Sequence, residues 1–137
     1  MATYKEAFVE FLKGENLKFR DIDERAVTLS WDSKTVASGL TVVVIFDKDN
    51  HNGVHFMCKN FCSVPDDKLI DLFAICNACN KQYRWVKFYV DDEGDVTAED
   101  DAVLDMANVG QECIELVARI VRIVGEAYPQ FMKAIYA

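Results

Sequence analysis

Residues Pro65 to Ala102 read PDDKLIDLFAICNACNKQYRWVKFYVDDEGDVTAEDDA, and within them the apolar period changes from that of a helix to that of a strand. Ser63-Val64-Pro65-Asp66-Asp67 predicts a helix start: a capping hydroxyl, a proline in the first turn and two carboxylates near the positive end of the helix dipole. Leu69, Leu72, Phe73, Cys76, Cys79 and Asn80 then fall on one arc at about 100° per residue. Asn80 closes the helix on its apolar side and Asn77 sits at the edge of that arc. An Asn there can take a left-handed cap, or its amide can bond the backbone of an incoming strand; the alternative is that the pair lines a ligand pocket. From Trp85 to Asp91, Val86, Phe88 and Val90 point one way and Trp85, Lys87 and Tyr89 the other. Asp92-Glu93-Gly94 makes the turn, with Gly94 free to take positive φ. The partner strand, Asp95 to Glu99, is short and polar, which predicts a charged sheet edge. The stretch is thus a helix delivering the chain into a β-hairpin.

Upstream, Thr3 and Glu6 form a capping-box pattern, Ala7, Phe8, Phe11 and Leu12 share a helical face, and Gly14 supplies a stop. Leu17 to Ile22 is ambiguous and compatible with a short edge strand. Val27, Leu29 and Trp31 alternate with Ala26, Thr28 and Ser30, as in a half-buried strand. Leu40 to Phe46 is apolar on both faces, which predicts a central strand covered on both sides. Asp47 to Gly53 resembles a calcium loop, but Gly falls at the seventh position and the twelfth is Cys58 rather than Glu. It reads as a hairpin turn leading into a returning strand, Val54 to Cys62.

Downstream, Asn108 with Gln111 predicts a capped start to the last helix. Glu112, Glu115, Arg119, Arg122 and Glu126 occupy roughly a quarter of its circumference. Ile114, Leu116, Val117, Ile120, Val121, Ile123 and Val124 give it a wider apolar arc than one sheet requires. Either the opening helix or a second copy of the chain covers the excess. Pro129 is expected to bend or interrupt the tail, leaving Phe131, Ile135 and Tyr136 to dock or to reach a partner.

The chain has 137 residues, 51% of them hydrophobic, enough for a sizeable core in a single domain spanning residues 1–137. The net charge of −8 is matched by the eight acids between Asp91 and Asp105, a segment with no Lys or Arg. Clustered acid argues against nucleic acid as a partner and reads as a solvated rim, the alternative being a surface for a basic partner. The longest stretch without a charged residue, Thr35 to Phe46, is too short to span a bilayer. Met1-Ala2-Thr3-Tyr4-Lys5-Glu6 places charge where an export signal needs an apolar run. Five cysteines spread through apolar segments suit buried thiols in a reducing cytoplasm.

No reaction centre emerges. Cys58, Cys62, Cys76 and Cys79 superficially resemble a zinc site, but strand residues four apart lie roughly 13 Å apart at about 3.3 Å per residue. Cys76 and Cys79 form a C-x-x-C pair at a helix C-terminus, where the dipole opposes thiolate formation. His51 and His55 lack a serine or cysteine at a spacing that proposes a triad. No dinucleotide or P-loop motif is present.

The order helix, antiparallel strands, helix, hairpin, long helix, together with Leu72 to Asn80 ending in N-x-x-N, Trp85-Val86-Lys87-Phe88-Tyr89-Val90-Asp91 and Glu93-Gly94-Asp95-Val96, resembles the bacterial YbjN family. Its members are described as candidate sensory-transduction regulators with a fold similar to type III secretion chaperones. The resemblance implies an α+β fold, an antiparallel sheet packed with three helices in the order α-β-β-β-β-α-β-β-α, and work done by binding protein, often as a dimer. It supplies no catalytic residues, and the cysteines lie outside its motif. The expectation is a cytoplasmic, non-enzymatic homodimeric binding module without cofactor or metal. Asn77, Asn80, Trp85, Lys87, Tyr89 and Asp91 are its structural or binding candidates. The alternatives are a secretion chaperone holding an extended client, and a small-molecule or zinc-binding protein using Cys76 and Cys79.

Overall fold

The computed structural model describes residues 2–137. The first helix, α1 (Tyr4–Gly14), starts on the predicted capping box: the Thr3 hydroxyl accepts from the Glu6 N–H (3.1 Å) and the Glu6 carboxylate accepts from the Thr3 N–H (2.9 Å). Gly14 is its last residue, but Asn16 (φ 56°) makes the left-handed turn, and the Leu17 N–H returns to the Leu12 carbonyl.

Four strands follow: β1 (Arg20–Asp21), β2 (Ala26–Trp31), β3 (Leu40–Phe46) and β4 (Gly53–Cys58). The chain then leaves the sheet through α2 (Leu69–Gln82), returns as β5 (Lys87–Val90) and β6 (Val96–Val103), and ends in α3 (Val109–Ile135). The sheet is antiparallel throughout, in the order β1-β2-β3-β4-β6-β5.

That order corrects the expected charged edge. The acidic strand is eight residues long and lies inside the sheet, between β4 and β5. Polar composition ordinarily marks an edge, but here cross-strand partners match the acids, which lets β6 occupy an interior position. Glu99 and Asp100 are buried rather than part of a solvated rim.

The strands bury alternate residues under the helices: Val27 and Leu29, Val42 and Val44, Val54 and Phe56, Phe88, Val96 and Ala98. β3 is central, but among the described residues its second face is only partly covered, and Val43 and Ile45 are half-buried. β-Branched residues favour strands whether or not both faces are packed, so composition alone overstates burial.

α3 is covered by its own chain. Leu116, Val117, Ile120, Ile123, Val124, Ala127 and Phe131 are all buried. Of the two expected covers the opening helix is the one used, and Phe11 crosses so close over Gly110 that a Cβ there would overlap its ring. Pro129 does not interrupt the helix, which continues to Ile135. Phe131, packed against the Phe61 and Phe88 rings, anchors the last turns beyond the proline.

Two predicted caps are also replaced. The Asp105 carboxylate, not Asn108, accepts a hydrogen bond (3.0 Å, from Ala107 N–H), and Gln111 bonds Glu115. Pro65 leads into a 3-10 turn, Asp66–Lys68, while Ser63 donates to Asp95 (3.0 Å) instead of capping. Among the described residues no helix is long and apolar enough to cross a membrane.

Candidate interaction surfaces

Asn80 lies on the last turn of α2, where its amide reaches the outermost strand. Its Oδ1 accepts the Phe88 N–H (2.7 Å) and its Nδ2 donates to the Phe88 carbonyl (3.0 Å). These are the backbone groups of β5 that point away from β6, so the side chain occupies the place a further strand would take. Asn77 sits one turn earlier on the exposed flank of α2.

On the open face of the sheet, β4, β6 and β5 bring a polar network together. The Tyr89 hydroxyl donates to Glu99 (3.0 Å), Lys87 pairs with Glu99 (3.0 Å), and His55 lies 2.6 Å from Asp101 and 3.2 Å from Glu99. Burial, then the Glu99 carboxylate, pushes the Tyr89 hydroxyl up to about 12. The Glu99 carboxylate also raises Lys87. Asp91 closes the β5–β6 turn, accepting from Thr97 (2.7 Å) and from the Glu93 and Asp95 N–H groups. Burial alone would raise the Asp91 carboxyl, but these donors outweigh it and hold it below its ordinary value.

Trp85 does not share this face. It precedes β5 with φ 77°, in a three-residue turn closed by the Val86 N–H on the Arg84 carbonyl (2.9 Å). The Arg84 and Arg119 guanidinium carbons lie 4.8 and 5.0 Å from its ring centre. On the helix-facing side of β6, Arg119 also reaches the buried Asp100 at 3.7 Å. Burial raises the Asp100 carboxyl above its ordinary value. Its neutral form is therefore favoured by folding, and the stability this supplies is present at low pH and lost as pH rises through the raised value. Asp100→Asn is expected to be more stable than wild type at pH 7, with the gap closing toward pH 4; urea titrations across that range read it.

The spare apolar surface lies on α2. Leu72, Cys76 and Cys79 face the core, while Leu69, Ile70 and Phe73 remain exposed, Ile70 at 75% and Phe73 at 48%. Leu69 and Phe73, with Val64, Pro65 and Val90, line a groove of about 530 Å³ beside the β5–β6 turn. The sequence signal was present: Ile70, Ala74 and Ala78 make this helix apolar on nearly every side.

All five cysteines are buried and free. Burial pushes Cys58, Cys76 and Cys113 up to about 12 and Cys62 and Cys79 up to about 11. Among the described residues no group of three His, Cys, Asp or Glu side chains is placed to hold a metal ion. A thiol reagent at pH 8 should leave the five cysteines of the folded protein largely unmodified and titrate all five once urea unfolds it.

The YbjN family model, described as "Putative bacterial sensory transduction regulator", matches residues 6–135. The chain belongs to the YbjN family. A crystal structure of YbjN from E. coli, described as "a putative transcription regulator", is 14% identical, with 88% of each chain covered and a TM-score of 0.62. The Yersinia pestis type III secretion chaperone SycH, solved with a stable fragment of YscM2, is 11% identical over 88% of this chain and 99% of its own, with a TM-score of 0.51. The ExsC–ExsE complex gives 17% identity, 88% and 86% coverage and a TM-score of 0.54. These likenesses show the fold: the α+β arrangement of this YbjN-family chain is type III secretion chaperone-like. No curated protein sequence matches the chain.

Proposed function

We propose that this YbjN-family chain is a non-enzymatic, cytosolic protein-binding module that works as a homodimer joined through α2. The observation that carries the reading is the uncovered flank of that helix, an apolar strip on a chain whose other long helix is buried internally. A second copy suits it because the strip is charged oppositely at its two ends. Asp66 and Asp67 in the turn before α2 and Asp71 in its first turn outnumber the one cation there, Lys68, and Lys81 stands at the other end. A two-fold axis crossing the helices antiparallel brings the acids of one copy to the lysine of the other, with the small side chains of Ala74 and Ala78 permitting close approach. A stable interface buries about 800 Å² per partner, roughly a tenth of the 8183 Å² surface of this chain.

The non-enzymatic part is supported by the direction of the shifted groups. The five thiols and Tyr89 are displaced toward uncharged, unreactive forms rather than toward nucleophiles or bases. Five free thiols also suit a reducing compartment. Sedimentation velocity at micromolar protein tests the assembly, with a dimer expected and a persistent monomer counting against it.

A chaperone that holds an extended client is the second reading, favoured by the half-covered strip Val43, Ile45 and Met57 on the open face. Asn80 blocks strand addition at β5, so a client would lie on that face. A co-purifying client lost in Met57→Lys, with the dimer retained, would separate this reading from the first.

A further inference from the structure

Charge along the chain is segregated around one aromatic ring. Asn77 to Val90 carries Lys81, Arg84 and Lys87 and no Asp or Glu, whereas Asp91 to Asp105 carries eight acids and no Lys or Arg. Trp85 stands at the centre of the positive segment, 62% exposed, with α3 contributing Arg119 from across the fold.

Three features of this cluster do nothing for the fold that a simpler residue would not do better. A bulky residue at φ 77° carries strain of about 1–3 kcal/mol that glycine would not. The indole it holds in place is mostly in solvent. Among the described residues Arg84 forms no ion pair, and Arg119 reaches only Asp100, at the long distance of 3.7 Å. Two guanidiniums with free donors therefore stack on an indole that is itself mostly in solvent.

We propose that Trp85, Arg84 and Arg119 form a docking site for an acidic, extended segment of a partner protein. Its carboxylates pair with the guanidinium forks, which the indole holds in place by cation–π stacking, while an apolar side chain packs on the part of the ring that the guanidiniums leave exposed. Charge selects this occupant. The positive island is small and sits beside the acid-rich segment of a chain with net charge −8, which repels a long polyanion such as a nucleic acid strand but leaves room for a few carboxylates. The proposal rests on the protein-binding reading above and needs no dimer.

The test is fluorescence anisotropy of a labelled oligo-glutamate peptide with the full chain in low salt. Saturable binding is expected, weakened roughly tenfold or more by Arg84→Glu and likewise by Trp85→Gly, and lost in high salt. Arg84 is exposed and Gly accepts the turn, so thermal melts should show both variants folded; if Trp85→Gly does not fold, Arg84→Glu decides alone. Absent saturation, binding indifferent to Arg84→Glu, or tighter binding of an oligo-deoxythymidine of equal charge each overturns the proposal. Sedimentation of the same samples reports the dimer separately. A wild-type dimer that Arg84→Glu dissociates would assign the patch to a second copy and overturn the proposal as well.

Discussion

Replacing Asn80 with alanine should lower the unfolding free energy by about 2–3 kcal/mol and expose the outer edge of the sheet. The amide makes both hydrogen bonds available to it from the Phe88 backbone, at 2.7 and 3.0 Å, in a partly buried setting. Without it one donor and one acceptor lose their partners, each at about 1–3 kcal/mol, partly offset by the better helix propensity of alanine, worth about 0.5 kcal/mol. The same change frees the β5 edge for pairing with another chain, so aggregation on partial unfolding should rise. Urea denaturation reads the first effect and light scattering during a thermal ramp the second. Asn80→Asp sharpens the test. It keeps an acceptor for the Phe88 N–H but sets a carboxylate oxygen against the Phe88 carbonyl, so it should destabilise at neutral pH and recover in acid, once protonated. A loss below about 0.5 kcal/mol for Asn80→Ala would mean the clamp is dispensable.

The element order was legible from local signals. Capping at Thr3 and Glu6, alternation in β2 and β5, and the period-3.6 arcs of α2 and α3 are all written in neighbouring residues. Asn80 was legible as a candidate because an amide ending a helix on its apolar side has the next strand within reach. Sheet order was not, because the pairing of β4 with β6 sets His55 opposite Asp101, 46 residues away, and no local pattern encodes it. That pairing is what moves Glu99 and Asp100 from a solvated rim to the interior, while Asp92, Glu93, Asp101 and Asp105 stay exposed.

The apolar excess on α3 is legible in the sequence, and the choice between its two covers is not. A wide arc on α3 says that something covers it, not what; within one chain α1 and α2 suffice. On α2 the arc holding Leu72 and Cys76 accounts for the core, and nothing in their spacing marks Ile70, Ala74 and Ala78 on the opposite flank as a surface. Trp85 was placed by strand alternation, which fails once a residue with positive φ breaks the period. Its contact with Arg119 is set by how α3 packs, which spacing cannot show.

The second large effect concerns that uncovered flank. Ile70→Glu with Phe73→Glu should leave the fold intact, since both side chains are exposed in the isolated chain. In a two-fold dimer each change appears twice, and four carboxylates would lose water without a partner, at a cost of several kcal/mol. The dissociation constant should rise on the order of a thousandfold or more. Asp67→Lys, which turns the proposed contact with Lys81 of a second copy into repulsion, should weaken the dimer by a smaller factor, and Lys81→Asp added to it should restore part of the loss.

The most direct measurement is sedimentation equilibrium of the wild-type chain and the Ile70→Glu, Phe73→Glu variant across micromolar concentrations, with circular dichroism to show that both are folded. The account predicts twice the 15.6 kDa chain mass for the wild type and the single-chain mass for the variant. A wild-type protein that stays at 15.6 kDa throughout, or a variant that remains dimeric, would contradict it.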